Sequence, residues 1–85
     1  MEFFKNNYEE LYCPILDYLK TLRANILVLF DSLEIGKSLF ELAKERLALD
    51  KKGIFYIDGS QKVELREQIR EQFEREDGNI LFAQS

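Results

Sequence analysis

Few residues of this 85-residue chain could do covalent or acid/base chemistry. It contains no His, and its one cysteine, Cys13, has neither a second thiol for a disulfide nor an imidazole for a Cys/His zinc site. Nucleophilic catalysis therefore lacks its usual base. The two carboxylates that stand beside apolar runs, Asp31 and Asp58, are explained as readily by turns and helix caps as by acid/base work. No catalytic residue, metal ligand or cofactor-binding residue is assigned. Cys13 reads as a small, half-buried apolar residue, because a reactive thiol needs a cationic or helix N-terminal setting.

Two patterns could still hold a ligand. Gly36-Lys37-Ser38 follows an apolar run and opens a helical one, which is the setting of a phosphate-binding loop. The full pattern requires glycine at position 31, where this chain has Asp31. A carboxylate there would repel phosphate, and its Cβ would block the left-handed backbone that glycine permits. The triplet is expected to be ordinary helix. The second pattern is one of place: Asp31, Ser32, Asp58, Gly59, Ser60, Gln84 and Ser85 all follow the C-terminal ends of three apolar runs. Open α/β sheets bind ligands along that edge, where helix N-terminal amides favour anions. Turns and caps select the same residue types, so both readings stay open.

The elements that would position these residues follow from periodicity. Asn25 to Phe30, Gly53 to Ile57 and Asn79 to Ala83 are short and almost wholly apolar, as strands of a parallel sheet covered on both faces are. A helix after Asp31-Ser32 carries Ile35, Leu39, Leu42, Ala43 and Leu47 as a sheet-facing stripe. It ends at Leu49 to Gly53 with two lysines and a glycine suited to a left-handed turn. A second helix places Leu65, Ile69 and Phe73 on one line. Its outer face sets Glu67 against Arg70 and Glu71 against Arg75 at ion-pairing distance.

Before these lie a lead-in and loose turn over residues 1 to 13 and an N-terminal helix over 14 to 24. Pro14 suits a first helical turn, and Leu11, Ile15, Leu19 and Leu22 recur at helical spacing. The expected fold is α/β and three-layered: a short parallel sheet of order 2-1-3 with right-handed crossovers and the two crossover helices on opposite faces. In that order Asn79 to Ala83 is an exposed edge prone to pairing with another chain, and a homodimer through the third strand or another bound protein chain is expected.

Composition sets limits on function. With 46% hydrophobic and 33% charged residues the chain is not of the disordered class, yet a domain this short buries only about 60 to 65% of its unfolded surface. A net charge of -4 gives no long-range attraction to phosphate and counts against autonomous nucleic-acid binding. The aromatics near the N-terminus stand among charges and amides and form no signal-peptide core. No run approaches the ~20 apolar residues of a membrane span. A cytoplasmic chain with no membrane partner is expected.

Taken in order, the strand and loop from Leu27 to Lys37, the turn Tyr56-Ile57-Asp58-Gly59-Ser60, the Glu- and Arg-rich helix from Val63 to Arg70 and the strand Gly78 to Ala83 resemble parts of a known family. They are similar to the second RecA-like domain of superfamily-two helicases, most of all the phage UvsW-type DNA and RNA helicases. The resemblance covers residues 15 to 85 and only the N-terminal half of that domain. It implies half of a RecA-like α/β domain, working beside a first RecA-like domain. It also implies nucleic-acid backbone contacts at Phe30, Asp31, Ser32, Gly59, Ser60, Gln84 and Ser85. ATP and Mg are implied only for the complete helicase, whose nucleotide-binding and hydrolytic motifs lie in its first domain and beyond the fifth motif.

Three functions follow. As the resemblance implies, the chain is expected to be a helicase second-domain fragment that contacts nucleic acid within a larger ATP-driven motor and hydrolyses no ATP alone. The alternatives are a stand-alone α/β protein-interaction module derived from such a domain, pairing through its exposed strand edge, or a small nucleotide-binding protein using Gly36 to Ser38.

Overall fold

The computed structural model describes residues 2–85, with side chains described from Leu11 onward. Its elements are helix α1 (Glu2–Lys20), strand β1 (Ile26–Phe30), helix α2 (Leu33–Arg46), strand β2 (Gly53–Ile57), helix α3 (Val63–Arg75) and strand β3 (Asn79–Gln84). All three strands are parallel, and the sheet order is β1-β3-β2. Ile26 pairs with Ile80 and Phe30 with Gln84 on one side of β3, and Gly53 pairs with Asn79 and Ile57 with Ala83 on the other.

This order corrects the expected 2-1-3. Residues Asn79 to Ala83 are all buried, whereas β1 leaves Leu27 and Leu29 exposed. The strand whose side chains are shielded on both faces belongs in the middle, where both its hydrogen-bonding edges are also satisfied. β3 is therefore not an edge: its donors and acceptors are paired within the sheet, which removes the free strand edge on which the expected pairing with a second chain rested.

Helices cover both faces, as expected. On one face α2 packs Leu39, Ala43 and Leu47 with Phe30, Ile80 and Phe82, and α1 adds Leu16, flanked by Tyr12 and Leu19. On the other, Ile69 and Phe73 of α3 lie against Ile57, Leu81 and Ala83. The opposite placement follows from the path: β1 to β2 passes over β3, and β2 to β3 steps back, so two crossovers of one hand must use opposite faces.

α1 is longer than the sequence suggests. It runs from Glu2 through Pro14 to Lys20, so residues 2 to 13 are helical and only Met1 of the expected lead-in lies outside the described residues. Its rotation also differs. Tyr12, Leu16 and Leu19 face the core, while Leu11 and Ile15 of the expected stripe are exposed. Asp17 helps to fix that rotation by pairing with Arg46 of α2 at 3.5 Å. Buried Lys51, whose Nζ donates to the Leu22 carbonyl, anchors the end of the helical segment.

On α3, Leu65 is exposed rather than in line with Ile69 and Phe73, and the described ion pairs lie elsewhere, at Asp17–Lys20, Glu41–Lys44 and Asp17–Arg46. Gly53 begins β2, and the left-handed glycine is Gly78, with φ 93°. Beside it, two asparagines close the N-terminal edge of the sheet. Asn79 N–H donates to Asn25 Oδ1 at 2.9 Å, and both side-chain amides donate to the Phe73 carbonyl, at 2.9 Å from Asn25 and 3.1 Å from Asn79. The last carbonyls of α3 thereby gain partners that its own ladder does not supply.

Candidate ligand-binding edge of the sheet

The residues singled out at the strand ends do come together along the C-terminal edge of the sheet, and β3 joins them. Ser85 N–H donates to the Phe30 carbonyl at 2.8 Å, and its hydroxyl donates to the same carbonyl and to Asp31 Oδ1. On the other side Gln84, the last residue of β3 rather than a loop residue, accepts from Gly59 N–H through Oε1 at 2.9 Å. The loops after β1 and β2 are thus each tied to the end of the central strand. That tie follows from the strand order, since only a central β3 has a neighbour on each side.

Each loop is also built locally. Ser32 has extended backbone, and its Oγ accepts from Ile35 N–H at 3.4 Å, so Ser32 rather than Asp31 caps α2. After β2, Asp58 is buried. Its Oδ1 accepts from Ser60 N–H at 2.8 Å and Ser60 Oγ at 2.5 Å, and its Oδ2 accepts from Tyr56 Oη at 2.6 Å. Gln61 completes the turn, accepting from Asp58 N–H at 3.2 Å and donating to the Tyr56 carbonyl at 3.3 Å.

Tyr56 and Gln61 are the residues that pattern reading passed over. Tyr56 was masked by its place in an apolar run. Gln61 is an ordinary polar residue whose only signal is its position three after an Asp-Gly-Ser turn.

Electrostatics hold Asp58 and Tyr56 each in one charge state. The hydroxyl of Ser60, then that of Tyr56 and the amide of Ser60, hold the Asp58 carboxyl down at about 2. Burial, followed by the bond to Asp58 and its negative charge, pushes Tyr56 up to about 12. Neither group changes charge near neutrality, and both Asp58 oxygens are occupied in shaping the turn. Among the described residues no cluster of His, Cys, Asp and Glu could hold a metal ion.

Of the seven residues expected to contact nucleic acid, Asp31, Ser32, Gly59, Ser60 and Ser85 are exposed and Gln84 is half-buried. Phe30 differs. Its ring is buried, stacked on Tyr56 at 5.6 Å between centroids, and only its carbonyl reaches the edge. The ring also rests on Gly36, where an added Cβ would overlap its Cδ2, Cε2 and Cζ atoms. Gly36-Lys37-Ser38 therefore lies inside α2, with Gly36 N–H bonded to the Ser32 carbonyl at 2.9 Å. The triplet forms no loop around a phosphate, and it does not fit ATP.

No protein-family model, curated protein or solved structure matches the chain.

Proposed function

We propose that this chain acts as part of a RecA-like domain of the superfamily-two helicase kind, its strand-end loops holding the sugar-phosphate backbone of a nucleic acid within a larger motor. The observation that carries this reading is the stitched edge. Ser85 joins the β1 loop to β3, Gln84 joins the β2 loop to β3, and the exposed Ser32, Gly59 and Ser60 stand along the resulting ledge. With the Gly59 and Ser60 amides and the Ser60 hydroxyl bonded within the edge, the Ser32 hydroxyl and the capped start of α2 are the groups that would hold phosphate oxygens without reading bases. Lys37, exposed in the first turns of α2, is the nearby cation.

The acidic net charge makes this a local grip rather than long-range capture, which suits a part that works beside other nucleic-acid contacts. ATP binding and hydrolysis belong to other parts of such a motor, since this chain's own Gly-Lys-Ser is packed against Phe30.

The test is amide chemical-shift mapping of the labelled chain titrated with single-stranded DNA and RNA oligonucleotides at low salt. Concerted, salt-sensitive shifts at residues 32 to 34, 59 to 61 and 84 to 85 are expected. An undisturbed edge, or shifts confined to α3, would remove the proposal.

A further inference from the structure

Among the described residues, β1 has a helix over one face and none over the other. Ile26 and Val28 pack into the cluster formed by α1 and α2. Leu27 and Leu29 point the opposite way, in register with Leu81 and Ala83, which α3 covers together with Ile57 of β2. That cover stops short of β1, because Leu27 is 55% and Leu29 61% exposed. The exposed floor asks for what β1 has on its other side, a helix with an apolar stripe.

Among the described residues, the same chain carries such a stripe exposed to solvent. Next to its core-facing residues, α1 exposes Leu11, Ile15 and Tyr18 at 64%, 51% and 64%. Their i, i+4, i+7 spacing is the anchor pattern of a helix that lies in an apolar groove. The stripe is about 10 Å long, and Leu27 and Leu29 stand about 7 Å apart along the strand, so the stripe is long enough to span both leucines.

We propose that two copies of the chain associate through a reciprocal pair of contacts, the outer stripe of α1 in each copy covering Leu27 and Leu29 of the other. Area selects this arrangement. At roughly 100 Å² for each half-exposed Leu, Ile or Tyr, a two-fold pair using both surfaces removes on the order of 1,000 Å² of apolar surface before any polar rim, near the ~1,200 Å² at which stable interfaces begin. Pairing α1 with α1 buries only about 600 Å² on that scale and leaves the β1 leucines wet. None of these five residues belongs to the strand-end edge, so this proposal and the nucleic-acid reading fail separately.

The experiment is sedimentation equilibrium on the 85-residue chain at up to about 0.5 mM, beside Leu29→Glu and Ile15→Glu chains whose folding is checked by circular dichroism. Twice the 10.1 kDa of one chain is expected for the unchanged protein, and the monomer mass for each variant. In a Cys13→Ser background, oxidising a mixture of Ile15→Cys and Leu29→Cys chains should give the 15-to-29 disulfide and little of the 15-to-15 one. A monomer at every concentration, a dimer indifferent to Leu29→Glu, or cross-linking confined to 15-to-15 would overturn the proposal.

Discussion

The two faces of the sheet are built to different standards. Under α1 and α2, Leu16, Leu39, Ala43 and Leu47 close over Ile80 and Phe82, and rings run on from Phe82 to Phe40 at 6.2 Å, to Tyr56 at 5.2 Å and to Phe30 at 5.6 Å. Under α3 the buried residues are Ile57, Leu81 and Ala83, and the helix itself buries none of its own. One face therefore holds the fold, and the other is half finished. Burial is what converts apolar sequence into stability, so the same Leu contributes on one face and remains a liability or a docking surface on the other.

Substitutions can break that comparison. The largest loss is expected at Phe82→Ala, which opens a cavity in the ring chain and costs about 3–5 kcal/mol by urea unfolding. Its counterpart on the weaker face, Phe73→Ala, removes a half-buried ring and should cost about 2 kcal/mol, with a smaller shift of the midpoint. Equal losses would show that the faces share the load.

Gly36→Ala tests the packing beneath the strand-end edge. An exposed helical Gly→Ala change stabilises by about 1 kcal/mol, but overlap with Phe30 should reverse the sign to a loss of about 1–2 kcal/mol.

The turn at Asp58 predicts a pH dependence at both ends of the scale. Asp58 falls from 3.8 to about 2 on folding, so its contribution is present above pH 4 and is lost as pH drops from about 4 toward 2. Tyr56 rises from 10.0 to about 12, so its contribution is present below pH 10 and is lost as pH climbs from 10 toward 12. The stability difference between the natural chain and Tyr56→Phe should accordingly stay constant between about pH 4 and pH 10, shrink above pH 10, and shrink also below pH 4, where the Tyr56 hydroxyl no longer has an ionised Asp58 to hold. The smallest effect is expected at Leu27→Thr, within about 0.5 kcal/mol for the monomer, because that side chain is already in water.

Much of this was legible in the chain. The three strands, the α2 stripe, a cap at Asp31 or Ser32 and the meeting of strand ends follow from apolar runs, helical spacing and turn chemistry, all of which act over a few residues. The rotation of α1 was not, because two apolar stripes lie side by side on it and packing against α2, with Asp17 beside Arg46, chooses between them. Nor was the central place of β3. NILVLF and NILFA look alike as strings, and only the reach of α3 decides which of them is covered on both faces.

At the candidate edge, Asp31, Ser32, Gly59, Ser60 and Ser85 could be named from position alone. The inward turn of Phe30 and the bonds from Ser85 and Gln84 to different loops could not. By itself the sequence determined the kinds of element, their order and the residues at their ends, since propensity, capping and periodicity are local. Tertiary structure alone decided which strand is central, which apolar stripe is wet and which loops share a ledge. Those outcomes depend on residues 25 to 55 positions apart competing for one limited amount of cover.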